Sequence, residues 1–336
     1  MMHASFTSYE LLFKRPAGTS RGTLNSKLTY LLKVQDTHSE YVGECSFFRG
    51  LSADCEMEYK PKLQWVCDHI NEGKEILIKN CQEFPSIQFG IEQIFAQIER
   101  KKNGLFFSSK FTEGKQGIKI NGLIWMGNWD FMREQIQQKL EQNDSCIKLK
   151  IGVNWEEEHK ILKNLRKEFS ASQLELRVDA NGGFTYEEAK KVLDRLAKLE
   201  IHSIEQPIKA ENENLMADLC KYTPTPIALD EELIGKFFKD QKEKTLELIN
   251  PQYIILKPSL IGGWKGSEEW IEIAEAKNID WWITSALESN IGLNAIAQWT
   301  ALFHKDIPQG LGTGSLYTNN FPSKLSVRGE YLFYNP

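Results

Sequence analysis

Five short segments in the second half of this 336-residue chain each carry ionisable groups at nearly constant intervals. Lys148 and Lys150 flank Leu149, Asp179 stands in Arg-Val-Asp-Ala-Asn, Glu205 in Ile-Glu-Gln-Pro, Asp230 in Ala-Leu-Asp-Glu-Glu, and Lys257 in Ile-Leu-Lys-Pro-Ser. From Lys150 the steps to the next four charges are 29, 26, 25 and 27 residues. A strand, a loop, a helix and a return loop take about 30 residues. Each charge also closes an apolar, β-rich run, where a parallel strand would end. Side chains at the C-terminal strand ends of a (β/α) barrel face one common mouth, so three lysines and three carboxylates are expected to converge there.

Alternation along a strand puts Lys148 and Lys150 on one face and Leu149 on the other. Mutual repulsion and burial are expected to lower a lysine pKa from about 10.4 towards the range of a general base. Asp179, Glu205 and Asp230 supply three hard oxygen donors whose charges repel unless a cation joins them. All-oxygen ligation favours Mg²⁺, with Mn²⁺ as a substitute, over Zn²⁺. A buried network pairing the carboxylates with the lysines is the competing arrangement. The six histidines lack HxH or HExxH spacing, and no GxxxxGK[ST] or strand-associated GxGxxG is present.

The elements needed to position these groups can be traced along the chain. Barrel strands are expected at 118–124, 146–151, 174–178, 201–205, 227–230, 253–257 and 281–285, with an eighth ending near Gly310-Leu311-Gly312. An amphipathic helix follows over 155–169, Thr185 caps another reaching Leu199, and Asn128 or Asp130 caps the first. Residues 1–114 read as a small α+β unit: strands at 28–34 and 41–45, then a helix over 86–101 with Ile87, Ile91, Ile94, Phe95 and Ile98 on one face. Residues 16–22 read as a flexible loop. Residues 115–314 make the barrel, and 315–336 pack back on the N-terminal unit. Gly262-Gly263 and residues 310–314 are glycine clusters able to cradle an anion or to form ordinary turns.

Composition sets the bounds. A barrel needs about 250 residues and leaves room for a small second domain. A net charge of −5 argues against nucleic acid or an anionic membrane as partner. No secretory signal or apolar run of membrane-spanning length is visible. Six scattered cysteines without CxxC read as free thiols of a cytoplasmic protein. Nothing in the sequence specifies an oligomeric state.

The spaced set Lys148, Lys150, Asp179, Glu205, Asp230 and Lys257 resembles the enolase superfamily in its muconate-lactonizing subgroup. That resemblance covers the chain and implies an α/β protein, a modified (β/α)7β TIM-like barrel with an N-terminal α+β capping domain. It implies Asp179, Glu205 and Asp230 as ligands of Mg²⁺, Lys150 as base, Lys148 as its partner and Lys257 as a charge across the mouth. Leu256-Lys257-Pro258-Ser259, residues 285–293 and Gly310-Leu311-Gly312-Thr313 resemble the members that dehydrate 2-succinyl-6-hydroxy-2,4-cyclohexadiene-1-carboxylate to 2-succinylbenzoate for menaquinone synthesis. Ala286 and Asn290 depart from the serines of many relatives. Substrate contacts are then implied for Asn181, Ser285, Gly312 and Thr313, and position and charge add Arg21. Enolase-type sites remove a proton beside a carboxylate with a Lys or His base and Mg²⁺, so the substrate is a small-molecule carboxylate. An N-acylamino acid racemase or dipeptide epimerase would use the same six residues, with Lys150 and Lys257 as two bases. A metal-free Schiff-base aldolase on the same barrel is disfavoured by the three carboxylates.

Overall fold

A computed structural model of the chain describes residues 1–19, 22–37, 39–125 and 129–336. The N-terminal part begins with an antiparallel sheet of β1 (His3–Thr19), β2 (Gly22–Gln35) and β3 (Glu40–Cys45) in that order. Helices α1 (Glu56–Asp68), α2 (Lys74–Asn80) and α3 (Pro85–Arg100) follow. Ile87, Ile91 and Ile94 of α3 are buried against Tyr30, Leu32 and Val34 of β2, in a core of their own. Gly43 and Gly90 let α3 approach β3 closely: a Cβ on Gly43 would lie 2.4 Å from the Gly90 carbonyl oxygen.

The expected loop over 16–22 is mostly strand. β1 continues to Thr19, and Ala17, Gly18 and Thr19 pair with Leu24, Thr23 and Gly22 after a register break at Leu12. An antiparallel ribbon satisfies its backbone groups whatever side chains it carries, so small polar residues that read as loop can extend a hairpin. β1 itself has no counterpart among the expected strands.

Strands β4 (Ile118–Lys119), β5 (Gly122–Ile124), β6 (Cys146–Lys150), β7 (Glu175–Asp179), β8 (Ser203–Glu205), β9 (Ile227–Leu229), β10 (Tyr253–Leu256) and β11 (Asp280–Ile283) follow in the second part. β5 to β11 form one seven-stranded parallel sheet in sequence order. Between them run α4 (Trp129–Glu141), α5 (Trp155–Glu168), α6 (Tyr186–Ala197), α7 (Glu213–Tyr222), α8 (Lys239–Ile249), α9 (Pro258–Ile261) and α10 (Gly263–Ala276), and α11 (Asn290–Thr300) follows β11. Thr185 caps α6 through a capping box with Glu188. The expected first strand splits into β4 and β5. Between them Ile120 bridges Gln309, while Gly310 bridges Thr284, so the eighth position closes the curled sheet through two isolated bridges. The architecture is the modified (β/α)7β barrel.

The C-terminal tail serves both parts. Lys14 N donates to Leu316 O at 2.8 Å and Thr318 N to Leu12 O at 2.9 Å, tying the tail to β1. Beyond this, β12 (Leu325–Arg328) and β13 (Tyr331–Tyr334) form a hairpin that pairs with β4 under the barrel. Five of the six cysteines are buried and all six are free. Among the described residues no helix is long and apolar enough to cross a membrane.

Candidate active site

Strand register assembles the site. In β6, Ile147 and Leu149 join the apolar layer beneath the helices, which turns Lys148 and Lys150 inwards. Lys150 pairs across to Asp179, and Asp179 to Glu205, so three charges occupy one level of the barrel. Glu205 pairs with Ala228, and Asp230 stands two residues beyond it on the same face. Lys257 follows the end of β10. All six side chains are at least about nine-tenths buried.

The lysines and carboxylates interlock. Lys150 Nζ donates to Asp179 Oδ2 at 2.8 Å and to Asn181 Oδ1. Lys148 Nζ lies 3.1 Å from the same Asp179 oxygen and donates to Glu205 Oε2. Lys257 Nζ donates to Asp230 Oδ2 and lies 3.6 Å from Glu205 Oε1. Asn181, at a left-handed φ of 44° just past β7, donates through Nδ2 to Glu231 at 3.0 Å.

Burial works to raise the Asp179 carboxyl, yet Lys148, Lys150 and Lys257 together hold it well below the usual carboxylate range. Burial, with Asp179 alongside, pushes the Glu205 carboxyl up to about 7 despite Lys148 and Lys257. Burial raises Asp230 as well, against the pull of Lys257. The expectation that repulsion would lower the lysines is corrected for Lys148: burial lowers it, but Asp179 and Glu205 outweigh burial and Lys257, and its pKa is raised. The same balance raises Lys257, with Asp230 the main counter-charge.

As placed, no three His, Cys, Asp or Glu among the described residues are gathered in a metal-ligating cluster, because the carboxylates turn to the lysines. Nevertheless the donor set fits a hard divalent cation. Three carboxylates share one layer, and buried Glu205 Oε1 accepts no hydrogen bond. The unmatched oxygen and the upward pressure on Glu205 both mark a shortage of positive charge there.

A cavity of about 330 Å³ opens above this layer, lined by Lys148, Lys150, Asp179 and Lys257. Asn181, Ser285, Gly312 and Thr313, all implied as substrate contacts, line it too. Ser285 Oγ is already engaged, accepting from Thr313 Oγ1 at 2.8 Å and Leu287 N at 3.0 Å, so these two side chains brace each other at the wall. Arg21 lies outside the described residues; its neighbours Gly22, Thr23 and Leu24 line the cavity. Sequence reasoning missed Phe48, Arg49, Gly50 and Leu51, and Thr284, which also line the cavity. The run Phe-Phe-Arg-Gly-Leu has no periodicity, and Gly50 at φ 78° is its one turn signal. The Gly262-Gly263 cluster does cradle an anion, but a protein one: Trp264 N and Lys265 N donate to Glu92 at 2.5 and 3.0 Å.

Residues 131–332 match the family described as enolase C-terminal domain-like. The chain is 42% identical to an o-succinylbenzoate synthase of Desulfotalea psychrophila over 98% of both sequences. The crystal structure of MenC from that organism superimposes with a TM-score of 0.87, at 39% identity over 99% of each chain. A dipeptide epimerase from Enterococcus faecalis, solved with Mg and a dipeptide, superimposes with a TM-score of 0.82 at 16% identity, over 99% of this chain and 96% of that one.

Proposed function

Since the chain belongs to the enolase C-terminal domain-like family, we propose that it is an o-succinylbenzoate synthase, a cytoplasmic hydro-lyase of menaquinone biosynthesis. It converts 2-succinyl-6-hydroxy-2,4-cyclohexadiene-1-carboxylate to 2-succinylbenzoate and water. The observation that carries this reading is 42% identity to a synthase of that name over 98% of both chains. The epimerase likeness, at 16% identity, is one of fold.

The proton removed lies beside a carboxylate, where a second negative charge must develop. Asp179, Glu205 and Asp230 would hold Mg²⁺, or Mn²⁺ in its place, which neutralises charge developing on the substrate carboxylate, a contribution of several kcal/mol in such sites. Lys150, in its neutral form, takes the α-proton. The resulting ammonium then stands on the same face to protonate the departing hydroxyl in a syn elimination, and ring aromatisation drives the step. Lys148 hydrogen-bonds the carboxylate layer and shares the Asp179 oxygen that Lys150 reaches. Lys257, with its pKa raised, presents a permanent positive charge to the ene-diolate from the other side of the mouth. Asn181 Oδ1 accepts from Lys150 and orients it. Gly312, Thr313, Ser285 and, on its position in the sequence and its charge, Arg21 are assigned to the substrate's remaining groups.

The test is turnover of the purified protein on the cyclohexadiene carboxylate and on N-succinyl amino acids, each with and without Mg²⁺. Rapid metal-dependent aromatisation is expected, with racemisation slower or absent. Racemisation without dehydration would overturn the reading.

A further inference from the structure

Behind the cavity wall lies a second buried charge cluster that the chemistry does not use. Lys27 of β2 is 5% exposed and donates to Ser46 Oγ at 2.6 Å. Its Nζ also sits 5.6 Å from the ring centroid of Phe48, a cavity-lining residue. Three residues before it on the same strand, Leu24 lines the cavity as well. Glu44 of β3 is fully buried, and four donors reach it. Thr29 Oγ1 lies at 2.8 Å and Ser289 N at 3.0 Å from Oε1; Ser289 Oγ at 2.5 Å and Gly292 N at 2.9 Å from Oε2. Glu288, also fully buried, accepts from Ser259 Oγ on one oxygen, and the other has no hydrogen-bond partner.

We infer that Lys27, Glu44 and Glu288 form a buried latch that seats the N-terminal sheet on the barrel and thereby sets the distance between the two walls of the substrate pocket. They are positioning residues for binding. Two of them reach different parts of the pocket: Lys27 backs Phe48, while Glu288 follows Ser285–Leu287 directly and holds Ser259, two residues past Lys257. Apolar surfaces alone would hold the two parts together with little angular preference. Buried charges satisfied by directional hydrogen bonds accept one arrangement and penalise others. Glu44 spans the junction, since both of its oxygens are filled from the start of α11 and the residue preceding it. Lys27 is the cation whose field reaches both carboxylates.

The latch rests on the pocket being the substrate site, which wild-type turnover checks separately. Lys27→Met, Glu288→Gln and the double variant are compared in steady-state kinetics and in α-proton exchange at saturating substrate. Lys27→Met strands two carboxylates and should raise KM at least about tenfold, with kcat and exchange within about threefold of wild type. In the double variant one stranded charge is gone, so its KM should rise by less than the product of the single effects. A merely structural role would lower the melting temperature of folded Lys27→Met and Glu288→Gln while leaving KM within twofold, and that result overturns the inference. Effects that multiply, or that fall on kcat with KM unchanged, also overturn it. Should Lys27→Met fail to fold, Ser46→Ala removes only the hydroxyl that Lys27 reaches. A several-fold rise in KM then supports the latch, and an unchanged KM refutes it.

Discussion

Replacing Glu92 by glutamine should change how stability depends on pH. Glu92 lies on α3, 2% exposed, and accepts the Trp264 and Lys265 N–H groups that open α10. Burial pushes its carboxyl up from the ordinary 4.5 to about 7, against the pull of those two N–H groups. Between these values the unfolded chain is ionised at this position while the folded protein holds the proton. Stability contributed by the group is thus complete below about pH 4.5 and falls as pH rises through 7. Two and a half pH units at about 1.36 kcal/mol each amount to about 3 kcal/mol. Glutamine stays neutral throughout but offers one acceptor oxygen where the carboxyl offers two, so Glu92→Gln starts with a constant loss of about 1–3 kcal/mol. Urea unfolding of both proteins at pH 5 and pH 8 separates the two effects. Because pH 5 already lies inside that window, the stability difference between variant and wild type should move by about 2.5 kcal/mol in favour of the variant at the higher pH. A difference that stays constant within about 0.5 kcal/mol would mean that Glu92 is ionised throughout, and the reasoning from burial would fail.

Lys257→Arg keeps the charge but removes any base, because arginine stays protonated. It should retain measurable dehydration, whereas Lys257→Ala loses far more. Equal inactivity of the two, with the guanidinium seen correctly placed in a crystal, would contradict the charge-stabilising role. Asp230→Asn should weaken Mg²⁺ activation at least about tenfold while shifting the urea midpoint little, because Asp230 stands beyond the end of β9 and not in the packed layer beneath. Gly310→Ala would drive a Cβ to 2.5 Å from Thr284 Oγ1 where the barrel closes. A stability loss of about 1–3 kcal/mol with lowered activity is expected, and a variant matching wild type in both would show that the closure yields freely.

Much of the barrel was legible because its signals are local. Each of β6 to β10 ends in or beside a charge that breaks an apolar run, and Thr185 with Glu188 spells a capping box within four residues. The six charged residues could be assembled from spacing alone, since register in a parallel sheet follows from the repeat. What spacing did not show was where the charges point. The lysines turn onto the carboxylates, so Lys148 is held protonated when repulsion from Lys150 suggested the reverse. The wall from Phe48 to Leu51 stayed hidden for a different reason. It is placed by contacts between distant segments, such as Glu44 with Ser289, 245 residues apart, and no local pattern records such pairs. β1 was missed because an exposed ribbon edge needs no apolar alternation to satisfy its backbone.

The central claim is that Lys150 removes the α-proton of a carboxylate substrate at this barrel mouth, and the direct measurement is deuterium exchange into unreacted cyclohexadiene carboxylate in D₂O, alongside turnover, for wild type and Lys150→Ala with saturating Mg²⁺. Wild type should turn over the substrate. Lys150→Ala should lose both exchange and turnover by at least about a thousandfold, since general-base catalysis and the charge placement that goes with it are removed together. Exchange at the wild-type rate in Lys150→Ala, or undiminished wild-type turnover after rigorous chelation of metal, would contradict the account.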